Sequence, residues 1–167
     1  MTPIGLDLSL TSTGISANGL LAIVQTDKTG VQRLVELSEQ ILKLIAMTTV
    51  DPIVIIEGYS FASRNSHAHS IGELGGVVRV ALYKENIPIV DVPPTIRAKF
   101  ATGRGNAGKT EVMSAVSART GLVFSGKGAD DMCDAWILEE IGRTHYGSPR
   151  FEWPESHLKA LDKIEWR

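Results

Sequence analysis

The sequence predicts an α/β domain on a mixed five-stranded sheet, in which a three-strand antiparallel meander joins two parallel strands and helices cover both faces. Two patterns carry this reading. Three short apolar segments precede the first helical pattern, which makes a meander, and helix and strand alternate afterwards, which makes parallel crossovers. The third observation is size. A chain of 167 residues, 43% hydrophobic and 22% charged, has the composition of one globular domain. At that length folding buries about 70% of the unfolded surface, enough for a core without staples.

Residues 3–9, 12–18 and 20–26 read as the meander strands, with breaks at Thr11-Ser12 and at Asn18-Gly19, a dipeptide suited to a two-residue hairpin turn. Residues 31–47 then set Val31, Leu34, Val35, Ile41, Leu42 and Ile45 on one helical stripe. Asp51-Pro52 ends that helix. The β-branched run Ile53-Val54-Ile55-Ile56 suits a strand covered on both faces, ending at Glu57. A loop over 58–66 leads to a helix over 67–85, where Ile71, Leu74, Val77, Val78, Ala81 and Leu82 cover much of the circumference. Gly72, Gly75 and Gly76 each weaken it by about 1 kcal/mol relative to Ala, and so point to close packing. An apolar surface wider than one stripe also points to a dimer interface on this helix. Residues 87–92 form the fifth strand, stopped by Pro93-Pro94, and helical patterns follow over 95–101, 109–119 and 129–143. The domain is thus expected over 1–143. The tail, 144–167, has a short helical pattern at Leu158, Leu161 and Ile164, seated by Trp153 and Trp166.

Seventeen basic and nineteen acidic residues leave a net charge of −2, which argues against a protein built to coat nucleic acid. The distribution is uneven. Residues 97–127 hold Arg97, Lys99, Arg104, Lys109, Arg119 and Lys127 against Glu111 alone, a local +5 within a chain whose remainder sums to −7. Cys133 is the only cysteine, which excludes an internal disulfide and a thiolate zinc site; it reads as a small core residue and fits a reducing compartment. The opening MTPIGLDLSL lacks a basic segment, and no apolar run approaches a bilayer span, so a soluble protein is expected.

Four carboxylates stand out. Asp7 interrupts an apolar strand and Glu57 closes a buried one, with no Lys or Arg close in sequence to neutralise either, and a bound cation is the simple remedy. Asp131 and Asp134, three apart, share one helix face. Oxygen donors without His or Cys select hard ions such as Mg²⁺ or Mn²⁺, and four carboxylates suffice for two ions about 4 Å apart, the arrangement that hydrolyses phosphodiesters. The bland alternatives are a turn cap at Asp7, a Glu57–Arg64 pair, and an Asp pair that suits a helix N-terminus.

The element order, the opening Ile4-Gly-Leu-Asp7-Leu-Ser-Leu-Thr-Ser-Thr-Gly-Ile, the strand end Ile-Ile-Glu57 and the closing Asp131-x-x-Asp134-Ala resemble the RuvC family of Holliday junction resolvases, within the RNase H-like nucleases. The likeness spans about residues 3–143 and includes Gly103-Arg-Gly-Asn-Ala-Gly-Lys109 before a helix. It implies an RNase H-like fold and a homodimer that cuts branched DNA. It also implies Asp7, Glu57, Asp131 and Asp134 as the catalytic, metal-binding set, and Lys109 on a DNA phosphate. The family's aromatic wedge falls at Ser60, so Tyr59 or Phe61 would stack on bases; its upstream lysine falls at Ala98, so Arg97 or Lys99 would substitute. Arg104 and Arg64 would add DNA contacts. Asp130 is a further acid with no assigned role, and any helicase partner is unknown. The setting implied is the cytoplasm of a bacterial cell or of a phage-infected host.

Two other readings compete. Gly103 to Thr110 satisfies the P-loop pattern for nucleotide phosphate, but the residues before it are charged and helical where a P-loop needs a buried strand. A branched-DNA binder without catalysis has no reason to aim four carboxylates at DNA. His67-x-His69 lacks a second ligand pair, and reads as a polar junction into its helix.

Overall fold

A computed structural model describes residues 1–58 and 66–166 of the chain. Strands β1 (Thr2–Asp7), β2 (Thr13–Ala17) and β3 (Leu20–Val24) form the meander, and α1 (Gly30–Thr48), β4 (Pro52–Glu57), α2 (Ser66–Lys84) and β5 (Ile89–Val92) alternate after it. Helices α3 (Pro94–Thr102), α4 (Lys109–Thr120) and α5 (Ala129–His145) follow; α6 (Glu155–Leu158) and a 3₁₀ turn at Leu161–Lys163 lie in the tail. The sheet order is β3-β2-β1-β4-β5, antiparallel across the meander and parallel from β1 through β4 to β5. This is the mixed five-stranded sheet the sequence predicts. Among the described residues no helix is long and apolar enough to cross a membrane.

The period of two along each strand divides the core. In β4, Val54 and Ile56 join Ile4, Leu6 and Ile15 under α1 and α2, while Ile53 and Ile55 face α3, α4 and α5 on the other side. Helix α1 seats Leu37, Ile41 and Ile45; Val31 and Val35, expected in the stripe, fall on its shoulder and stay exposed, at 74% and 45%. In α2 the packed line is Leu74, Val78 and Leu82. The close packing expected at its glycines is not found at Gly76, where an added Cβ meets nothing within 4 Å among the described residues.

Close packing occurs under α5 instead. A Cβ on Gly5 of β1 would stand 1.8 Å from the Ala135 carbonyl oxygen, and one on Gly14 of β2 would stand 2.1 Å from that of Asp131. Both strands therefore bring bare backbone against the helix. Cys133 is buried in α5, as the sequence suggests, and so is Trp136.

The tail returns across α3 and α5. Trp153 packs on Phe100 with centroids 4.3 Å apart, His157 meets the Phe100 carbonyl through Nδ1 at 2.7 Å, and Trp166 stacks on His145 at 3.7 Å. Two fully buried acids of α5 receive it. Glu140 accepts hydrogen bonds from the Arg150 backbone N–H and Nε at 2.9 Å each, the Phe151 N–H at 3.3 Å and Trp153 Nε1 at 3.2 Å. Glu139 accepts from Ser16 Oγ at 2.5 Å and the Asn18 N–H at 3.2 Å, and pairs with Arg150 at 3.1 Å.

Candidate active site

Strands β1 and β4 run parallel with Leu6 beside Ile56, so their C-terminal residues, Asp7 and Glu57, end on adjacent strands. Leu6 and Ile56 face α1 and α2, and alternation turns Asp7 and Glu57 to the opposite face, where α5 lies. Gly14 is the register partner of Asp7 and the point where β2 touches the Asp131 backbone. Two glycine contacts thus set the N-terminal half of α5, with Asp131 and Asp134, over the strand ends. Asp130 and Asp131 also occupy the first turn of α5, where the helix dipole favours acids.

The four acids share one end of the sheet without sharing one coordination sphere: among the described residues no three His, Cys, Asp or Glu side chains stand close enough to hold a metal ion. Protein partners hold three of them. Arg97 of α3 donates through Nε to Glu57 Oε2 and through Nη1 to Asp134 Oδ1, and Ser12 Oγ donates to Asp131 Oδ2. The Asp7 carboxyl receives no hydrogen bond from a described residue. Burial first, then repulsion from Glu57 and Asp134, raises its carboxyl well above the ordinary value, and Arg97 offsets this only in part. Burial likewise pushes Asp134 up to about 6 against the pull of Arg97, and raises Asp131 despite the Ser12 hydrogen bond. The cluster carries more negative charge than one guanidinium balances, and every donor it offers is a carboxylate oxygen. That is the chemistry of a hard divalent cation.

Arg97 corrects two expectations. The cation missing near Asp7 and Glu57 in sequence is supplied from α3, forty residues beyond Glu57, and the side chain expected on DNA is turned inward, with 10% of it exposed. The signal was local: Ile96, Arg97, Ala98, Phe100 and Ala101 are all buried, so the arginine sits inside an apolar helical run. Ser12 gave no comparable signal, since its partner lies 119 residues away.

Lys109 opens α4 and is exposed; its ammonium pairs with Asp130, which gives that acid a partner and holds it below the ordinary carboxylate range. Arg104 is exposed and pairs with Glu111 at 2.8 Å. Lys99 is half-buried on α3 and forms no ion pair with a described residue. Tyr59, Phe61 and Arg64 lie outside the described residues, as do the side chains of His67 and His69. The Gly103–Lys109 segment follows helix α3 and not a strand, which removes the setting a P-loop needs.

The family model described as crossover junction endodeoxyribonuclease RuvC matches residues 8–138. The crossover junction endodeoxyribonuclease RuvC of Sorangium cellulosum (strain So ce56) is 32% identical over 135 residues, covering 81% of this chain and 72% of the relative. That of Carboxydothermus hydrogenoformans is 27% identical over 151 residues, covering 85% of this chain and 95% of the relative. The Thermus thermophilus RuvC structure shares the fold with a TM-score of 0.67 at 21% identity, covering 89% of this chain and 98% of that one. The same protein in complex with a Holliday junction substrate gives a TM-score of 0.68, also at 21% identity, covering 87% and 96%. The match begins one residue beyond Asp7 at the end of β1, and takes in Glu57, Arg97, Lys109, Asp131 and Asp134; the chain belongs to the RuvC family of crossover junction endodeoxyribonucleases.

Proposed function

We propose that this protein is a Holliday junction resolvase, cutting branched DNA by phosphodiester hydrolysis at Asp7, Glu57, Asp131 and Asp134 with two divalent cations, Mg²⁺ or Mn²⁺, in each site. The observation that carries this is the buried Asp7 carboxyl, which takes no hydrogen bond from a described residue, among three further carboxylates at one end of the sheet, beside the chain's basic segment. The four carboxylates would hold the ions, which, when bound, supply an activated water and stabilise the leaving oxygen. Lys109, exposed at the start of α4, is suited to a DNA phosphate that competes with Asp130 for its ammonium. Arg104 and Lys99 add positive charge along the same path.

The working unit in this reading is a homodimer, in the cytoplasm of a bacterial cell or phage-infected host. Support for the dimer comes from α2, where Val80 and Tyr83 are 56% and 81% exposed and a Cβ on Gly76 would meet no described residue within 4 Å. Sedimentation should give a dimer at micromolar concentration; a monomer with and without DNA would refute that part.

The deciding experiment offers four-way junction, fork and linear duplex, each with and without Mg²⁺. Junction strands should be incised only with the cation, and Asp7→Asn should end incision while retaining junction binding. Turnover within a few-fold of wild type in that variant would overturn the assignment.

A further inference from the structure

Arg97 is a cation already seated where the proposed function requires others. Its guanidinium bridges the acid that ends β4 and an acid of α5, with 10% of the side chain exposed and the two carboxylates at 20% and 7%. Arg97 has the donors to hold both acids at once, through Nε and Nη1, while Asp7 is left with none. Arg97 occupies one oxygen of each acid, Glu57 Oε2 and Asp134 Oδ1, and there its positive charge and its N–H groups compete with a metal ion for the same lone pairs. Among the described residues no three carboxylates stand close enough to hold an ion, and the two acids on Arg97 belong to the set that would have to close in.

We propose that Arg97 is a resident counter-ion of this site, so that loading a divalent cation is an exchange in which the guanidinium releases Glu57, Asp134 or both. The exchange has two consequences. The metal-free enzyme folds with its acids neutralised in part and held near their places, since an unpaired buried carboxylate is costly. The same contact lowers apparent cation affinity, because the ion must displace a bound competitor. Arg97 is thus a positioning residue whose effect on metal binding is opposite to that of a ligand or of a structural prop. The proposal rests on the divalent-cation reading of the site.

Calorimetric titration with Mn²⁺, without DNA, separates the possibilities. Arg97→Gln should bind Mn²⁺ about tenfold more tightly than wild type, a shift within the usual span for coupled ligands. Its metal-free melting temperature should fall, and Mn²⁺ should raise it by more than in wild type. Arg97→Lys should restore part of the metal-free stability and part of the competition. Affinity unchanged or weakened in a folded Arg97→Gln protein would overturn the exchange.

A readout on the wild-type chain stands whether or not that variant folds. The Arg97 Nε–H resonance, identified by its absence in Arg97→Lys, should be protected from solvent exchange in metal-free protein and should shift and lose protection as Mg²⁺ is added. A resonance indifferent to saturating Mg²⁺ would overturn the proposal while leaving the divalent-cation reading intact. Absence of Mn²⁺ and Mg²⁺ binding in both wild type and variant would overturn both.

Discussion

Helix α5 carries acids near each end; Arg150 meets Glu139 and Glu140 at one, Arg97 meets Asp134 together with Glu57 of β4 at the other, yet the two clusters are built to opposite plans. At the tail end, Glu139 and Glu140 are fully buried, and their oxygens are met by Ser16, by Arg150 and by backbone N–H groups of Asn18, Arg150 and Phe151, with Trp153 adding another donor. At the strand end, four acids share Arg97 and Ser12, and one of them has neither. A buried carboxylate surrounded by donors is a fastening. A cluster left short of donors has a place for something else.

The sharpest test of that contrast is activity. Asp7→Asn should abolish junction cleavage while leaving the metal-free protein as stable as wild type or more so. Like charges ~5 Å apart repel by about 3 kcal/mol at an effective dielectric near 20, and the substitution removes one of them. A clear fall in the metal-free melting temperature would show that Asp7 has a structural partner. The opposite outcome is expected at the other end of the helix. Glu140→Ala should cost about 3–5 kcal/mol in urea denaturation, because it removes the acceptor of Arg150 Nε, of Trp153 Nε1 and of the Arg150 and Phe151 N–H groups, leaving Arg150 with Glu139 alone.

Between these lies Gly14→Ala, whose methyl group would collide with the Asp131 backbone. A loss of about 1–3 kcal/mol is expected from overpacking, with cleavage reduced further than stability alone explains, since Asp131 moves with its helix. Thermal melts and junction cleavage on one preparation check both parts.

The pH dependence of metal-free stability separates the clusters more gently. Asp134 titrates near 6 when folded and near its ordinary 3.8 when unfolded, so between those values the native state binds more protons than the unfolded chain. Its contribution to stability therefore declines as pH rises through that window, and Asp7, raised in the same direction, adds to the decline. The metal-free melting temperature should show this component between about pH 4 and 7, ordinary values bracketing carboxylate titration and neutrality. Asp134→Asn should flatten it. The smallest effect is expected from Lys109→Ala, which should weaken junction binding similarly across sequences and reduce the salt slope by about 1. An unchanged slope would remove Lys109 from the phosphate contacts.

Strand and helix periodicity made the architecture legible because each element's pattern is local. The run from Ile53 to Glu57 states both that β4 is covered on two faces and that its end is unusual. The partners of the acids were not legible in that way. Arg97 stands among the basic residues of a helical segment; its apolar neighbours Ile96, Ala98, Phe100 and Ala101 mark it as inward, but Lys99 shares them, and which acids it meets is given by the folded contact. Glu139 and Glu140 drew no attention as adjacent acids in a helix, because the donors that meet them come from distant segments, β2 with the turn after it and the tail, and half of them are main-chain groups that no residue type announces. Val31 and Val35 fit the α1 stripe by period, and are exposed because the packed line is centred on Leu37, Ile41 and Ile45.

The contacts of Gly5 and Gly14 with α5 also bear on how this protein tolerates mutation. The span between the β1 acid and the α5 acids is fixed by main chain resting on main chain, with no side-chain volume in between. Exchanges among the aliphatic residues on either side of the sheet can shift the outer helices by fractions of an ångström without entering that span. A library that randomises the core around Leu37, Ile41, Leu74 and Val78 should therefore retain active members long after a library confined to Gly5 and Gly14 has lost them.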